Sequence, residues 1–546
     1  MIKKAGNLFA TAYLLLIFGV YPFYMKKGYV DIGEGKYEFV LYCSLGAIAI
    51  LSVLALLQGI RVMRERRLSK EAYLIDWCSL SVTDLLVFLY LAEITISTLF
   101  SDFRQEAIWG TEGWHIGLVL LAGLCCLYLL ISRLWDGNKI VWYVSIAASG
   151  MVFLLGILDS FSLYVIPLEI REAGFISTLG NINWFCGYLS VLAPIGVCMF
   201  LLEKYKQREL TGEGRKESLK VLLYGIYTVI AFMAGFAQGS NSVFLWFFGL
   251  LFLLLWFSMG NSRRMADWFV LLSLWGMSGQ LVRLMKVLMP GGYNYEENNL
   301  CGYFTHSSLT LWIALFSFAA AVGLTYRAEK KSKQNENQEQ KPEREWKEDE
   351  RRQRKAQKIL AVTLAAGVVL WVVLSVINTW TDASGFIDNS LFCWNESWGN
   401  GRGASLKAGF LMFGELPFLK KLIGAGPDCF AAYAYALPEI ASGLRDYFGS
   451  SRLTNAHNEI VTSLVNTGIL GTALYVGIFV SFVYRCFHAG KRLKQPFLYI
   501  VGICVCCYLI HNMVSFAQVL NLPFTFLVMA MGENLLKNST TFGQEG

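Results

Sequence analysis

Apolar runs of near-membrane length recur along almost the whole of this 546-residue chain. About 20 apolar residues cross the ~30 Å hydrocarbon core of a bilayer as a helix. Lipid offers the backbone no hydrogen bonds, so only helices and closed barrels span it. Reading the runs by length gives about fourteen spans. Their cores lie near 7–24, 38–60, 76–100, 116–134, 140–159, 183–203, 220–239, 242–259, 267–289, 307–326, 358–379, 460–484, 496–513 and 517–535. Only 16% of residues are charged, against about 25% in soluble domains. The expected fold is all-α: a polytopic membrane helix bundle of about 14 transmembrane helices, with a large exterior loop containing short helices.

Charge sets the expected orientation. Most of the 47 Lys and Arg collect in alternate loops at 61–70, 203–220, 261–264, 327–358 and 485–494. These loops read as cytoplasmic. The net charge of +7 is therefore a topology signal, and no nucleic-acid partner is expected. Lys3 and Lys4 precede the first span without a small-x-small cleavage site. The chain divides into membrane helices over 1–326, a charged cytoplasmic linker at 327–357, a span at 358–379, an exterior loop at 380–459, and three spans with a short tail at 460–546. The loop at 380–459, with the working face, is expected on the outer side of the membrane. The 13 cysteines lack zinc spacing, and no metal or cofactor is expected. Cys393 and Cys429 fall in the exterior loop and are candidates for a disulfide.

The exterior loop holds the densest chemistry. It ends in TNAHNEIVTSLVNTGILG (454–471), where a polar segment meets an apolar helix. This places Asn455, His457, Asn458 and Glu459 in the first turn. A helix start favours anions, and a histidine there moves protons near neutral pH. The plain alternative is that Asn455 caps the helix and His457 lies among headgroups. Arg402, between glycines, suits a bidentate grip on phosphate or a solvated loop. Gly424-Ala425-Gly426 reads as a turn that lets backbone approach a ligand. Leu406, Phe410, Phe413 and Pro417 suggest a short amphipathic helix on the membrane surface. Asn181 and Asn183 begin another inward-running span, as ligands or as caps.

Charges within spans are costly and are functional or paired. Asp84 and Glu93 share the third span, and Arg283 and Lys286 the ninth. They read as an ion pair between those helices or as ligand contacts. No Walker A loop, Rossmann glycine pattern, HExxH or Asp-x-Asp cluster occurs. Any anionic leaving group thus falls to Arg, Lys and helix N-termini.

Four segments resemble, in order, the O-antigen ligase and polysaccharide polymerase superfamily, bacterial membrane glycosyltransferases of the GT-C type. They are SDFRQEAIWGTEGWHIGL (101–118), LGNINWFCGYLSVLAPI (179–195), GRGASLKAGFLMFGELPFLKKLIGAGPDCF (401–430) and AHNEIVTSLVNTGILG (456–471). The resemblance covers about residues 80–535. It departs at AQGSNSVF (237–244), where Ser240-Asn241-Ser242 stands in place of the family's Ser-Arg pair. Arg283 then supplies the charge missing at Asn241, or the donor differs.

The resemblance implies a glycan donor carried on undecaprenyl diphosphate at the outer membrane face. The acceptor is another glycan, a glycolipid or a cell-wall polymer, and membrane lipids surround the site. It implies that Arg402 contacts diphosphate and that His457 assists the acceptor hydroxyl. Asn181, Asn183, Ser240, Asn241, Arg283, Gly424, Gly426 and Asn458 are the expected substrate contacts. Direct displacement inverts the anomeric centre and needs neither ATP nor metal. Two other classes fit the span count: a lipid-linked oligosaccharide flippase and a non-enzymatic polysaccharide assembly protein.

Overall fold

The computed structural model describes residues 2–68, 80–168, 170–171, 174–211, 219–296, 298–336, 342–380, 392–493 and 495–542. They are almost entirely helical, with one two-stranded pairing of Phe175–Ile176 on Gly180–Asn181. Ten helices are long and apolar enough to cross a membrane. Three shorter apolar helices, Leu118–Leu134, Val243–Ser258 and Pro496–His511, stand where further spans were expected. The last helix, Leu522–Phe542, is shifted from the expected core at 517–535 and carries Glu533 and Lys537. This is a multi-pass, all-α membrane architecture. The linker is helical on both sides, in Leu309–Glu336 and Pro342–Trp380, while 337–341 lies outside the described residues. So does 381–391 of the expected exterior loop.

The chain forms two compact units. One comprises 1–159, 163–227 and 405–546, and the other 160–162 and 228–404. In the first, the helix around Ile182–Arg208 is central, with 94% of its apolar window buried. The first span, from Ile2, ends in a wide turn and a tight turn at Tyr21–Phe23. Its last carbonyls take one turn bond, Tyr24 N to Tyr21 O at 3.1 Å, and need further donors. Lys36, fully buried, supplies them: Nζ donates to Tyr21 O at 3.0 Å and Pro22 O at 2.8 Å.

Asp84 does not pair with the ninth span. It caps its own helix, Val82–Leu99, with Ser81. It also accepts from Arg133 at 2.9 Å and Lys537 at 2.8 Å. Glu533 beside it takes both guanidinium nitrogens of Arg485, at 2.5 and 2.9 Å. A fully buried carboxylate persists only when paired in this way.

In the second unit, Ser262–Leu288 packs along Leu309–Glu336. Ser273 Oγ donates to Ala314 O at 2.9 Å and Gln280 Nε2 to Thr310 Oγ1 at 2.5 Å, the interhelical bonds that hold polar residues in apolar surroundings. Lys286 bonds Thr305 Oγ1 at 3.1 Å and lies over the Tyr293 ring. The helix around Glu350–Thr379 has only 6% of its apolar window buried, so nearly its whole circumference suits lipid.

Within 380–459, the described residues fold as Trp398–Glu415, Phe418–Ile423, Phe430–Ala436 and Pro438–Phe448. The expected amphipathic face divides. Leu406 and Phe413 pack onto a core with Ala408, Met412 and Phe430. Phe410 and Pro417 stay exposed, beside Leu411, Phe418 and Leu419. Cys393 and Cys429, the candidate disulfide pair, are both free thiols and belong to different units. Cys429 is buried against Ser101 Oγ and Phe103 O.

Candidate functional site

The stretch 454–459 does not enter its helix where the sequence suggested. The helix is Glu459–Arg492, and Asn458 is its cap. Asn458 Oδ1 accepts from the amides of Ile460 and Val461 at 3.0 and 3.1 Å, and Nδ2 donates to Met513 O at 2.9 Å. Asn455 caps nothing in the helix; its Oδ1 takes the His457 amide at 2.9 Å. That bond holds His457 with φ 49°, in the left-handed region that costs a non-glycine residue about 1–3 kcal/mol. His457 is half-buried, and its ring meets Phe516 edge-on at 5.9 Å.

The same helix breaks at Gly468, where φ is 64° and ψ −168°. The break takes the carbonyls of Val465 and Asn466 out of the helical ladder. Two outside donors replace the lost partners: Ala425 N reaches Val465 O, and Gly426 N reaches Asn466 O, each at 2.9 Å. The contact is backbone on backbone. A Cβ at Gly424 would lie 2.1 Å from Asn466 O, and one at Gly468 2.4 Å from Leu422. Gly424 and Gly426 were expected to open a turn to a ligand. Their neighbour is the broken helix, whose freed carbonyls they bond.

This junction floors a cleft. Ser101 Oγ donates to Ala425 O at 2.6 Å. Asp428 Oδ2 accepts from the amides of Thr111 at 2.7 Å and Ile116 at 2.9 Å. Trp114 Nε1 donates to Thr454 Oγ1 at 2.8 Å, and its ring stands edge-on to Trp184 and Phe516. His115, beside it, bonds Glu34 at 2.6 Å and stacks on Tyr37. The cleft is lined by Trp114, Asp428, Glu459, Asn466, Thr467 and Phe516 among others. The volume open to water-sized occupants is about 40 Å³, and the empty space including the mouth is about 470 Å³. His457 sits at the rim, one ring removed, since Phe516 both lines the cleft and touches it.

The lining has two carboxylates and no Lys or Arg. Burial pushes the Asp428 carboxyl up to about 7, against the pull of its two amide bonds; the nearby Glu459 carboxylate adds to the rise. Glu459 is held by the Ala517 amide at 2.5 Å. Asn466 is 8% exposed, and its Oδ1 has no hydrogen-bond partner among the described residues. Below the floor lies Glu93, 6% exposed, with both oxygens equally without partners there. Its Oε2 lies 2.5 Å from where a Cβ on Gly471 would stand, so it abuts the broken helix rather than the ninth span.

The other expected site residues are accounted for individually. Asn181 Oδ1 accepts from the Asn183 amide at 2.8 Å at the start of Ile182–Thr211, the capping alternative. In the second unit, Asn241 Oδ1 takes the Leu300 amide at 2.8 Å, and Ser240 Oγ bonds Ser242 Oγ at 3.0 Å. Arg402 donates to Gly399 O at 2.6 Å, closing the left-handed turn Gly399–Gly401 that precedes it. Arg283 is half-buried and makes no hydrogen bond or ion pair with the described residues. Sequence reading passed over Asp428, Asn466 and Trp114. Their only local signals were an acid directly after Gly-x-Gly-Pro and a tryptophan beside His115.

No protein-family model matches the chain. No curated protein matches it either.

Proposed function

We propose that this protein is a membrane glycosyltransferase that moves a glycan from a lipid diphosphate carrier to a hydroxyl acceptor. One observation carries the reading. Three segments quoted for their family resemblance, 101–118, 401–430 and 456–471, supply bonded walls of one cleft, and the fourth reaches it through Trp184. Segments far apart in sequence thus meet beside the one histidine that resemblance marks for chemistry.

In this reading an acceptor hydroxyl attacks the anomeric carbon of the donor. The carbon–oxygen bond to the lipid diphosphate breaks, and the diphosphate departs with the electron pair. His457 takes the hydroxyl proton, an assistance worth ~10²–10⁴-fold. Arg402 and Arg283 are the cations proposed for the diphosphate, which needs fixed positive charge as it leaves. Arg283, with no described partner, is available for that role. The acceptor and donor are those of the resemblance, a glycan, glycolipid or wall polymer and an undecaprenyl diphosphate glycan. Fourteen spans, with both termini inside and 380–459 outside the bacterial cytoplasmic membrane, complete the proposal.

A flippase is the competing reading, but it expects two related halves, and the sequence shows no repeat between its halves. The test is turnover of a lipid-diphosphate glycan by purified protein in detergent, with no gradient. His457→Gln keeps hydrogen bonding without accepting the proton, and turnover is expected to fall ~10²–10⁴-fold. Wild-type turnover in that variant removes the general-base role. No turnover by the wild type with any lipid-diphosphate glycan removes the enzyme.

A further inference from the structure

We infer that the cleft walled by Asp428 and Glu459 is a binding site for a primary ammonium group, the positively charged head of an amine. The inference goes beyond the proposed reaction and does not depend on it.

The charge of the cleft is unbalanced. Asp428 and Glu459 both line it, and no Lys, Arg or His does. Asp428 is 8% exposed, and its Oδ2 is taken by the amides of Thr111 and Ile116. Its Oδ1 makes no hydrogen bond among the described residues, yet it is not sealed off from solvent. That oxygen therefore opens on the cleft that Asp428 lines. Glu459 brings a second carboxyl from the capped start of its helix, where the Ala517 amide holds one oxygen. Elsewhere the buried carboxylates have cations built in: Arg133 and Lys537 for Asp84, Arg485 for Glu533. Among the described residues no cation pairs with Asp428 or Glu459. Burial thus lifts the Asp428 carboxyl to about 7 with no positive neighbour to hold its charge.

A third carboxyl stands behind the wall. Glu93 Oε2 and Thr467 Oγ1 close on the same point, 2.5 and 2.6 Å from where a Cβ on Gly471 would stand. Thr467 lines the cleft, and both Glu93 oxygens are buried without partners among the described residues. A cleft lined by charge of one sign, with low-dielectric walls, focuses the field and draws in the opposite charge.

Chemistry narrows the cation. Among the described residues, no group of three His, Cys, Asp or Glu stands close enough to hold a metal ion. Tyr90, Trp114 and Phe516 line the cleft beside the acids, and aromatic rings attract organic cations. An ammonium group carries three N–H donors, enough for both carboxyl groups and a lining hydroxyl. Its charge-assisted bonds are about twice as strong as neutral ones. The size fits the head alone. The interior of about 40 Å³ holds about three waters' worth, the room of an aminomethyl group, and the rest of the ligand lies in the mouth.

The experiment is calorimetric titration of the full-length protein in detergent, at about pH 8 and fixed ionic strength. There the Asp428 carboxyl is ionised and an alkyl amine is still charged. Ethanolamine is matched against ethylene glycol, which has a hydroxyl in place of the ammonium. Ethanolamine is expected to bind about tenfold more tightly or better. Asp428→Asn keeps an acceptor for both loop amides and removes the charge, and is expected to weaken ethanolamine about tenfold or more. Should that variant fail to run as a single species on gel filtration, Glu459→Gln, which keeps an acceptor for Ala517, takes its place with the same expectation. Equal binding of the two probes, or no binding of ethanolamine, overturns the inference. So does calcium that displaces ethanolamine and is itself lost in Asp428→Asn, because the site then holds a metal. Glucosamine and nanodiscs of phosphatidylethanolamine follow as competitors. Displacement by the first marks an amino sugar as the source of the amine, by the second a lipid headgroup, and by neither a free amine. Turnover of a lipid-diphosphate glycan is read in a separate assay, so the amine site and the enzyme can each fail alone.

Discussion

Gly424→Ala is the sharpest test of the junction that shapes the cleft. Gly424 has φ 79° and ψ −178°, a conformation nearly restricted to glycine, and an L-residue there costs about 1–3 kcal/mol. Its new Cβ would also stand 2.1 Å from Asn466 O and 2.4 Å from Thr467 N. Both obstacles are backbone and cannot rotate away. Relief requires the Gly424–Gly426 turn to lift, which breaks the bonds from Ala425 N and Gly426 N. Each buried carbonyl left unmatched costs about 1–3 kcal/mol. These terms overlap, so a local destabilisation of roughly 3–5 kcal/mol is expected. Hydrogen exchange read at Ala425 and Gly426 should speed roughly 10²–10⁴-fold, since each 1.4 kcal/mol is tenfold. Gly414→Ala is the control: it has an open neighbourhood and an exposed position in its helix. It should be neutral or better by about 0.5–1 kcal/mol. Wild-type protection at both amides in Gly424→Ala would refute the backbone-contact argument.

Three further outcomes follow from other parts of the structure. Asp428 has its carboxyl raised from 3.8 to about 7, so the native state holds a proton that the unfolded chain has released. Its contribution is full below pH ~4 and lost as pH rises through ~7, by about 4 kcal/mol at most. Thermal midpoints across that window should fall less steeply in Asp428→Asn, and an unchanged slope would discount Asp428. Asp84→Asn removes the close carboxylate from both Arg133 and Lys537, leaving Lys537 the longer Glu533 contact at 3.9 Å. A loss of about 3–5 kcal/mol is expected, read as a lowered unfolding temperature in detergent. Single cysteines placed at Ser397 and Ser332 in a cysteine-free background test orientation. An impermeant reagent on intact cells should label position 397 alone, and labelling at 332 would reverse the proposed topology.

The membrane helices were legible because hydropathy is a local sum. A run such as Val243–Ser258 declares its surroundings without reference to any other residue. The same holds for the cap at Asn181 and for the helix near 459, misplaced by only a few residues. Pairings were not legible. Asp84 and Glu93 looked alike on one span, yet Asp84 meets Arg133 and Lys537 while Glu93 meets the broken helix at Gly471. Half a turn of helix facing and the choice of neighbour decide that, and neither is written in a run of apolar residues.

The cleft shows the same division. Sequence alone marked His457, Arg402 and the glycines at 424 and 426 as unusual for their surroundings. Only the tertiary structure decided what the glycines are for, because close approach is a property of two backbones. It also decided that Asp428, Glu459 and Asn466 share one wall, since the break at Gly468 turns the helix so that the loop carrying Asp428 can dock against it. Hydropathy places each segment at a depth in the membrane; packing chooses which segments touch, and the chemistry of the site comes from the touching.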